Sequence, residues 1–530
     1  MEKEDFVSGL SRGVVVLGGC GTVGSLIARI LASHDIDVTI IDSTPDSYLV
    51  PIFKNEGINL RLAEQLDKDS FNNQSAIFIA PSLLNNQIFM GKVNNFNKEN
   101  LPIYSIDEIL KFFTPNKPVI AVTGTNGKST TTHALKHIFL ANGYKIPSHG
   151  LRIQGNSEYI PALQSRLSGD VGILEIGTFG ISGEIKRSAS NSHVNMGIIT
   201  NITHDHLNNG TFEDYINCKK EMIEVAEKLV LDGDDPTLLN IVDCEGKEIY
   251  YFGIKDKDNP LFRDSDYDMK CPKCGSKLEY NVNYLRSLGE FKCKCGFKNP
   301  PLTVYADNIQ ITKEHKITKT TYTIHFEDKQ TRTVRLPKGG IHNVYNSLAA
   351  ACAAWKSGLD IDDIISGIES FKGVPGRLEY INKDPTIIID FAHNPAGVET
   401  IIKTVLNLKT DHNKIIVLNT ISSESGREGD MTIAKLLSDA DIVIPVSTSS
   451  VEMSKYIDTE VAQIKNNSKF NKTGTIGSSP RQVEEGLKLA LNLCDLNDII
   501  LVLGEAGVKY SKNALNKILF ENIINKSSYY

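Results

Sequence analysis

Residues 119–135 read VIAVTGTNGKSTTTHAL, an apolar segment followed by a Gly-rich turn and a helix-like pattern. The run Gly127-Lys128-Ser129 is typical of a phosphate-binding loop, in which backbone N–H groups and a helix N-terminus face an anion. The common form of that loop has a further glycine five residues before Gly127, where this chain has Val122. We expect Gly124 to shape the turn instead. Lys128 would then contact the outer phosphates, and Ser129 would offer its hydroxyl to Mg²⁺.

Length and charge restrict the class of protein. The chain has 530 residues, enough for about three domains. Its net charge of −7 gives no sign of a nucleic-acid footprint or of an anionic membrane surface as partner. The first 13 residues lack the pattern of a signal peptide, and no apolar run is long enough to span a membrane. We therefore expect a cytoplasmic protein with small-molecule substrates.

Apolar segments alternate with helix-like segments in three successive runs, which predicts an α/β fold with three doubly wound domains. The first run, residues 1–115, begins with a strand, a Gly-rich turn, a helix and a second strand, and ends within the linker at 114–118. The second run, residues 116–379, contains the phosphate loop. The third run, residues 380–530, again begins with a strand, a turn and a helix.

Polar residues follow two apolar strands of the second run. Glu175 ends one strand, and Asn201, His204, Asp205 and His206 follow the next one. Sheets of this class bind ligands at the carboxyl ends of their strands. An acid and a histidine pair in this position therefore favour a metal and phosphate site over purely structural roles.

Four cysteines interrupt the second run at about 268–300. Cys271 and Cys274 form a C-x2-C pair, and Cys293 and Cys295 follow as a C-x-C pair, one residue shorter than the usual second pair. Four thiolates at such spacing suit tetrahedral Zn²⁺. Because an all-cysteine set leaves no open coordination position, the sequence predicts a structural zinc ribbon.

The first run carries a second glycine pattern, Gly19-x-Gly21-x-x-Gly24, after a strand, with Asp42 at the end of the next strand. Taken alone, this pattern predicts a dinucleotide site for NAD. A turn without ligand is the other interpretation that the residues alone allow.

Six motifs together resemble the Mur ligases, the ATP-dependent amide-bond ligases of cell-wall peptide assembly. They are TGTNGKST (123–130), EIGT (175–178), NITHDHL (201–207), GIHNVYNSLAAA (340–351), GVPGRLE (373–379) and DFAHNPAG (390–397). The resemblance spans residues 13–510. It implies a Rossmann-like N-terminal domain, a central ATPase domain with the inserted ribbon and a Rossmann-like C-terminal domain.

The resemblance also implies roles for individual residues, and most of them concern ATP. The residues implied to bind ATP are Gly124, Thr125, Asn126, Gly127, Lys128, Ser129, Thr130, Asn343, Asn346, Arg377 and Asp390. Asn343 and Asn346 would contact adenine, Asp390 would bind the ribose, and Arg377 would reach ATP from the C-terminal domain.

Metal and acyl-substrate roles follow from the same resemblance. Ser129, Glu175 and His206 would hold Mg²⁺, and Lys219 would be carbamylated and act as an additional carboxylate, although Lys220 beside it is a competing candidate. The implied substrate-binding residues are Gly19, Gly21, Thr22, Gly24, Asp42 and His393. In this family the N-terminal turn often binds a UDP-linked substrate. Three alternatives therefore stay open for this turn: a UDP-linked or other anionic precursor, NAD, and no ligand.

Three functions remain open at this point. The first is an ATP-dependent ligase that adds an amino acid to a murein or pseudomurein peptide precursor through an acyl phosphate. The second is an amidating subunit that depends on a partner glutaminase, because the ribbon resembles that of MurT, a Mur-ligase-like subunit that amidates lipid II. The third is a nucleotide-sensing regulator that uses the N-terminal turn for NAD. The full N-terminal domain favours the first function, and the ribbon favours the second.

Overall fold

The computed structural model describes residues 2–43, 48–67, 69–147, 159–204, 210–242, 245–262, 268–314, 317–422, 426–464 and 478–527. Within these ranges the strands form three large sheets and one two-stranded ribbon. No helix in the described ranges combines the length and the apolar character that a bilayer crossing requires.

The N-terminal sheet has five parallel strands among the described residues, in the order β3-β2-β1-β4-β5. The strands are β1 Val14–Leu17, β2 Val38–Asp42, β3 Asn59–Leu62, β4 Ala76–Ile79 and β5 Ile103–Tyr104. The helices are α1 Lys3–Ser8, α2 Thr22–Ala32, α3 Val50–Asn55, α4 Pro81–Leu84, α5 Gln87–Phe96 and α6 Ile106–Phe112. Every residue of β1 and β4 is buried, as expected for parallel strands covered on both faces. The predicted strand-turn-helix-strand unit is confirmed.

The central sheet has the order β15-β14-β13-β10-β9-β8-β6-β7 in the part of the chain that is described. Its strands are β6 Val119–Thr123, β7 Gly172–Glu175, β8 Met196–Ile199, β9 Lys228–Asp232, β10 Glu248–Ile254, β13 Val304–Glu314, β14 Ile317–Phe326 and β15 Thr331–Leu336. Its helices are α7 Lys128–Ala141, α8 Tyr159–Gln164, α9 Glu184–Ser192, α10 Phe212–Val225, α11 Pro236–Ile241, α12 Ile341–Lys356 and α13 Ile361–Ser370. Strands β14 and β15 extend the parallel part as an antiparallel edge.

The cysteine segment forms an antiparallel ribbon between β10 and β13. Its strands are β11 Glu279–Leu285 and β12 Leu288–Lys292. Beside it, Leu278, Phe291 and Phe297 form a small apolar cluster with Cys271 and Cys293. So small a core buries little apolar surface, which makes a metal cross-link physically reasonable here.

The C-terminal sheet has the order β16-β17-β21-β18-β19-β20 among the described residues. Its strands are β16 Glu379–Lys383, β17 Thr386–Asp390, β18 Ile415–Asn419, β19 Ile442–Pro445, β20 Glu460–Val461 and β21 Ile499–Leu503. Its helices are α14 Pro395–Leu406, α15 Gly426–Leu437, α16 Thr448–Met453, α17 Pro480–Leu493 and α18 Glu505–Ser527. The edge strand β16 is antiparallel and begins at Glu379, one residue before the predicted domain boundary.

A segment of the central region packs on the N-terminal domain. Ile160, Leu163 and Leu167, in and after α8, belong to the apolar core beneath the N-terminal sheet. The buried guanidinium of Arg166 donates to the backbone oxygen of Leu110 at 3.1 Å and to that of Asn191 at 2.8 Å. The predicted boundary at 115/116 therefore misses a return of the chain to the first domain. Long-range apolar contacts of this kind leave no local sequence signal.

Candidate active site

The phosphate loop lies between β6 and α7. Gly124 and Gly127 have φ values of +139° and +84°, which side chains rarely adopt. A Cβ at Gly124 would also lie 2.0 Å from Thr200 Oγ1. Val122, by contrast, is a fully buried residue of β6. The turn therefore needs glycine at 124, and a glycine at 122 would only weaken the strand.

Residues after β8 brace the loop from the side. The backbone N–H of Asn126 donates to Asn201 Oδ1 at 3.0 Å, and Asn201 Nδ2 donates back to the Asn126 oxygen at 3.0 Å. Thr200 Oγ1 donates to the same oxygen at 2.6 Å. Asn201, predicted to present a ligand group at its strand end, thus holds the loop in shape. The ring of His204 stacks on Phe212 with a centroid separation of 3.8 Å.

The lysine and hydroxyl of the loop lie at the start of α7. Lys128 Nζ donates to the backbone oxygens of Gly124 at 3.0 Å and Thr125 at 2.7 Å, so the ammonium group is held within the loop. Ser129 Oγ donates to Glu175 Oε1 at 3.1 Å, which brings together two of the three predicted Mg²⁺ ligands. The third, His206, lies outside the described residues, as does Asp205.

Burial separates the two candidate lysines of α10. Lys219 is 1% exposed, with Nζ 4.8 Å from the ring centroid of Tyr215. Lys220, the next residue, is exposed. The buried Lys219 is the better candidate for a modified, metal-organising side chain. The exposed Lys220 would hold such a group out in solvent. Carbamylation of Lys219 stays a prediction.

One cavity collects most of the predicted nucleotide-binding residues from two domains. The predicted residues that line it are Asn126, Gly127, Ser129, Thr130, Asn343, Asn346, Arg377, Asp390 and His393. Gly124, Thr125 and Lys128 belong to the same loop. Asn343 and Asn346 come from the first turns of α12, and Asn346 Nδ2 lies 3.5 Å from Asn343 Oδ1. The cavity therefore extends from the loop at the start of α7 to an amide-lined end at α12.

The C-terminal domain contributes an acid to this cavity, and the segment just before its first strand contributes an arginine. The two carboxylate oxygens of Asp390 accept hydrogen bonds from the backbone N–H groups of Leu378 and Ala392, each at 2.7 Å. Burial raises the pKa of Asp390, and the nearby Arg377 is the main opposing influence. The Arg377 guanidinium lies 4.4 Å from the ring centroid of Phe391. Fixed in this way, Asp390 can accept a hydrogen bond from a ligand through its remaining lone pairs.

The two domains also touch directly beside the phosphate loop. Asn394, the N-cap of α14, donates from Nδ2 to Asn126 Oδ1 at 3.2 Å, while its Oδ1 accepts from the Gly397 backbone at 2.8 Å. His393 lines the same cavity, next to this contact. The first turn of α14 thus lies against the loop.

The sequence prediction missed further residues of the cavity wall. Lys338 lines the cavity, and its Nζ donates to the Arg377 backbone oxygen at 3.0 Å. His342 also lines it, and burial lowers the pKa of this imidazole to about 4, so the ring is neutral at pH 7. Lys338 lies two residues before the 340–351 motif and His342 lies within it, so that motif is the signal that could have revealed them. Phe371, after α13, adds an aromatic face.

The N-terminal glycine pattern forms a tightly packed turn between β1 and α2. A Cβ at Gly24 would lie 2.2 Å from the Gly18 oxygen, and one at Gly19 would lie 2.6 Å from Ile40 Cγ1. Asp42 Oδ2 accepts the backbone N–H of Cys20 at 2.9 Å. Packing alone thus explains two of the glycines, and Asp42 already holds the turn. The substrate roles of Gly19, Gly21, Thr22, Gly24 and Asp42 stay predictions.

The four ribbon cysteines converge. Their sulfur atoms all lie within 4.8 Å of one another, with 3.8 Å between Cys271 and Cys295 and 3.5 Å between Cys274 and Cys293. Zn–S bonds of about 2.3 Å in a tetrahedron place sulfurs about 3.8 Å apart. The shorter C-x-C pair therefore still allows tetrahedral geometry, and the cluster is compatible with zinc.

Comparisons with known proteins agree with this architecture. Family models described as "Mur ligase middle domain" and "Mur ligase, glutamate ligase domain" match residues 122–283 and 376–506. A solved pseudomurein peptide ligase type C from Methanothermus fervidus is 46% identical, covers 96% of this chain and 99% of its own, and has a TM-score of 0.84. The chain belongs to the Mur ligase family.

More distant relatives are similar over different lengths of this Mur ligase. The MurT subunit of the glutamine-hydrolyzing lipid II isoglutaminyl synthase from Staphylococcus aureus (strain COL) is 25% identical over 319 residues, or 58% of this chain and 69% of that protein. The UDP-N-acetylmuramate-alanine ligase MurC of Thermotoga maritima is 17% identical, covers 96% of this chain and 99% of its own, and has a TM-score of 0.55. The second likeness concerns the fold alone.

Proposed function

We propose that this Mur ligase, an ATP-dependent ligase, joins an amino acid to the peptide of a pseudomurein precursor. The observation that carries the proposal is the cavity in which the phosphate loop meets Arg377 and Asp390. Ser129 of that loop also contacts Glu175. The 46% identity to a pseudomurein peptide ligase over nearly the whole chain favours pseudomurein over murein. The full N-terminal sheet supports a precursor-binding role for that domain.

The reaction needs two steps in one water-poor site. A carboxylate oxygen of the precursor takes the γ-phosphoryl group of ATP, which gives an acyl phosphate and ADP. The amine nitrogen of the amino acid then attacks the acyl carbon, a proton leaves the nitrogen, and the C–O bond breaks with release of phosphate. Positioning and charge neutralisation supply most of the catalysis of phosphoryl transfer.

Residues of this chain fit these demands. Lys128, held within the loop, would neutralise the phosphates between which the bond breaks. Ser129, Glu175 and His206 would hold Mg²⁺, which supplies charge neutralisation for the transferring phosphoryl group when bound. A carbamylated Lys219 would organise this metal site. Arg377, carried by the C-terminal domain, would complete the positive surroundings of ATP and help to exclude water from the acyl phosphate.

We assign a structural role to zinc in the ribbon. The four sulfurs use every position of a tetrahedral ion, so no position remains for a reacting ligand. The cytoplasmic location and the UDP-linked or other anionic nature of the precursor remain predictions.

Phosphate release tests the ligase function. We expect release that requires ATP, a precursor peptide carboxylate and an amino acid together, with no need for glutamine or a second protein. Lys128→Ala should abolish it, because the phosphates lose their cation, whereas Lys220→Ala, an exposed lysine, should retain it. Turnover by Lys128→Ala at the wild-type rate would rule out the assigned ATP site.

The alternative is an amidating subunit that receives ammonia from a glutaminase. The similarity to MurT supports it, but that similarity covers only 58% of this chain. This alternative would be selected if phosphate release required glutamine and a partner glutaminase and did not respond to free amino acids. An NAD-dependent regulator is less favoured, because Asp42 is engaged with the Cys20 backbone. Tight NAD binding together with ATP binding without turnover would support it.

A further inference from the structure

The tip of the zinc ribbon reaches the nucleotide cavity. Leu285, Arg286, Ser287 and Leu288 all contribute to the cavity wall, opposite the first turns of α14. Leu285 pairs with Leu288, so Arg286 and Ser287 form a two-residue hairpin loop. The ribbon is therefore not a remote insert, because its loop borders the space between the central and C-terminal domains.

The conformation of Arg286 is unusual for its residue type. Its φ is +53°, in the left-handed region. At the first position of a two-residue hairpin loop, this region normally favours glycine or asparagine. Side chains of the ribbon hold the loop: Tyr280 OH donates to the Ser287 oxygen at 2.8 Å, and Asn283 Nδ2 donates to the Arg286 oxygen. Unfavourable backbone conformations of this kind concentrate at functional positions.

Arg286 contacts the C-terminal domain. Its Nε lies 3.0 Å from Glu399 Oε2 in α14, and the side chains are 22% and 18% exposed. Because both side chains are partly buried, water and salt screen their attraction less than they would screen that of a fully exposed pair. Because Asn394 at the start of the same helix contacts Asn126, α14 is held at two points, the phosphate loop and the ribbon tip.

Hydrogen bonds connect the base of the ribbon to the central domain. Asn299 Nδ2 donates to the oxygens of Gly233 and Gly289, each at 2.9 Å, and lies 3.2 Å from Asp234 Oδ1. Asp234 Oδ2 accepts the hydroxyl of Tyr345 at 2.8 Å. Tyr345 belongs to α12, the helix that carries Asn343 and Asn346. Hydrogen bonds thus connect the base of the ribbon to the helix that forms the amide-lined end of the cavity.

Other charges near the pair define its surroundings. Lys403, one turn further along α14, also contacts Glu399 at 2.7 Å but belongs to the same helix. His204 lies near Arg286, whose charge adds to burial in lowering the pKa of that imidazole, while Glu428 opposes the shift. The contact of Arg286 with Glu399, by contrast, is an ion pair between the central domain and α14.

We propose that Arg286 is a positioning residue for the ligase reaction. The cysteine ribbon holds it over the cleft, and its ion pair with Glu399 keeps the C-terminal domain closed over ATP. Arg377 and Asp390 then reach the nucleotide. This role rests on the proposed function only for its effect on turnover, because domain closure over a nucleotide can be measured without precursor or amino acid.

A double-mutant cycle tests the proposal. Arg286→Gln and Glu399→Gln should each raise KM for ATP about tenfold, a usual size for a coupled pair, and the double variant should be no worse than either single one. Lys403→Ala, the control on the same helix, should leave KM close to the wild-type value. Additive effects of the two Gln changes, or an unchanged KM in both, would overturn the proposal.

Small-angle X-ray scattering with a non-hydrolysable ATP analogue supplies a second readout. We expect the wild type to have a smaller radius of gyration in the complex than either Gln variant has, at equal thermal stability. Equal compaction in all variants would refute the ion pair as a closing contact. Wild-type protein that closes on the analogue but shows no ligation would instead contradict the proposed function alone.

Discussion

Gly127 in the phosphate loop lies directly against Asn346 of α12. A Cβ at Gly127 would be 2.2 Å from Asn346 Oδ1, and the same oxygen lies 3.4 Å from Thr131 Oγ1 in α7. The two ends of the cavity therefore share one contact, and packing fixes the distance between the loop and the amide side chains of α12, to which we assign the phosphates and the base of ATP.

Gly127→Ala should weaken ATP binding strongly. The methyl group would displace Asn346, and the φ of +84° would add strain of about 1–2 kcal/mol. Gly143→Ala is the matched control, because Gly143 has a φ of +80° but no atom within 4 Å of its Cβ position. Calorimetric titration with ATP should show a loss of affinity for Gly127→Ala, whereas Gly143→Ala should lose stability only. Equal affinities in both variants would contradict the shared contact.

Lys219→Ala should lower kcat about a hundredfold, a usual loss when a charge-organising group is removed. Burial of Lys219 and exposure of Lys220 predict that Lys220→Ala retains activity. Added acetate or formate should partly restore turnover of Lys219→Ala, because a small carboxylate can replace the missing carbamate. A lysine with a purely structural role would show the loss without rescue, and this outcome would count against carbamylation.

Cys271→Ser combined with Cys274→Ser should remove bound zinc and lower the free energy of unfolding by about 3 kcal/mol or more, as loss of a structural metal does. Cys494→Ser is the control, since Cys494 lies in the C-terminal domain, after α17. Metal analysis and thermal unfolding check both variants. Unchanged zinc content and an unchanged melting temperature in the double variant would refute the zinc ribbon.

The buried carboxyl of Asp234, which links the ribbon to α12, predicts a pH effect on stability. Burial raises its pKa to about 7, against 3.8 for the ordinary group. Between about pH 4 and pH 7 the folded state therefore binds a proton that the unfolded state has released, so this group makes stability fall as pH rises. Denaturant unfolding should show that wild type loses stability relative to Asp234→Asn across this window. Parallel pH profiles for the two proteins would contradict the raised pKa.

Much of the site could be predicted from short motifs. The strand, the tight turn and Gly127-Lys128-Ser129 lie within 11 residues, so local chemistry alone specifies a phosphate loop. The spacing of the cysteine pairs likewise predicts that the four thiols form one cluster. Lys338 and His342 lie beside and within the 340–351 motif, but the motif alone does not say which of the side chains there face the cavity.

The sequence by itself determined the three α/β runs, the phosphate loop, the cysteine cluster and the family, because periodicity and motif chemistry are local properties. Only the tertiary structure decided that Lys219 rather than Lys220 is buried, that Asn201 braces the loop, and that the ribbon tip meets α14 through Arg286 and Glu399. The loop and ribbon contacts join residues more than 70 positions apart. They arise from the packing of separate elements, so the residues next to each partner in the sequence give no sign of them.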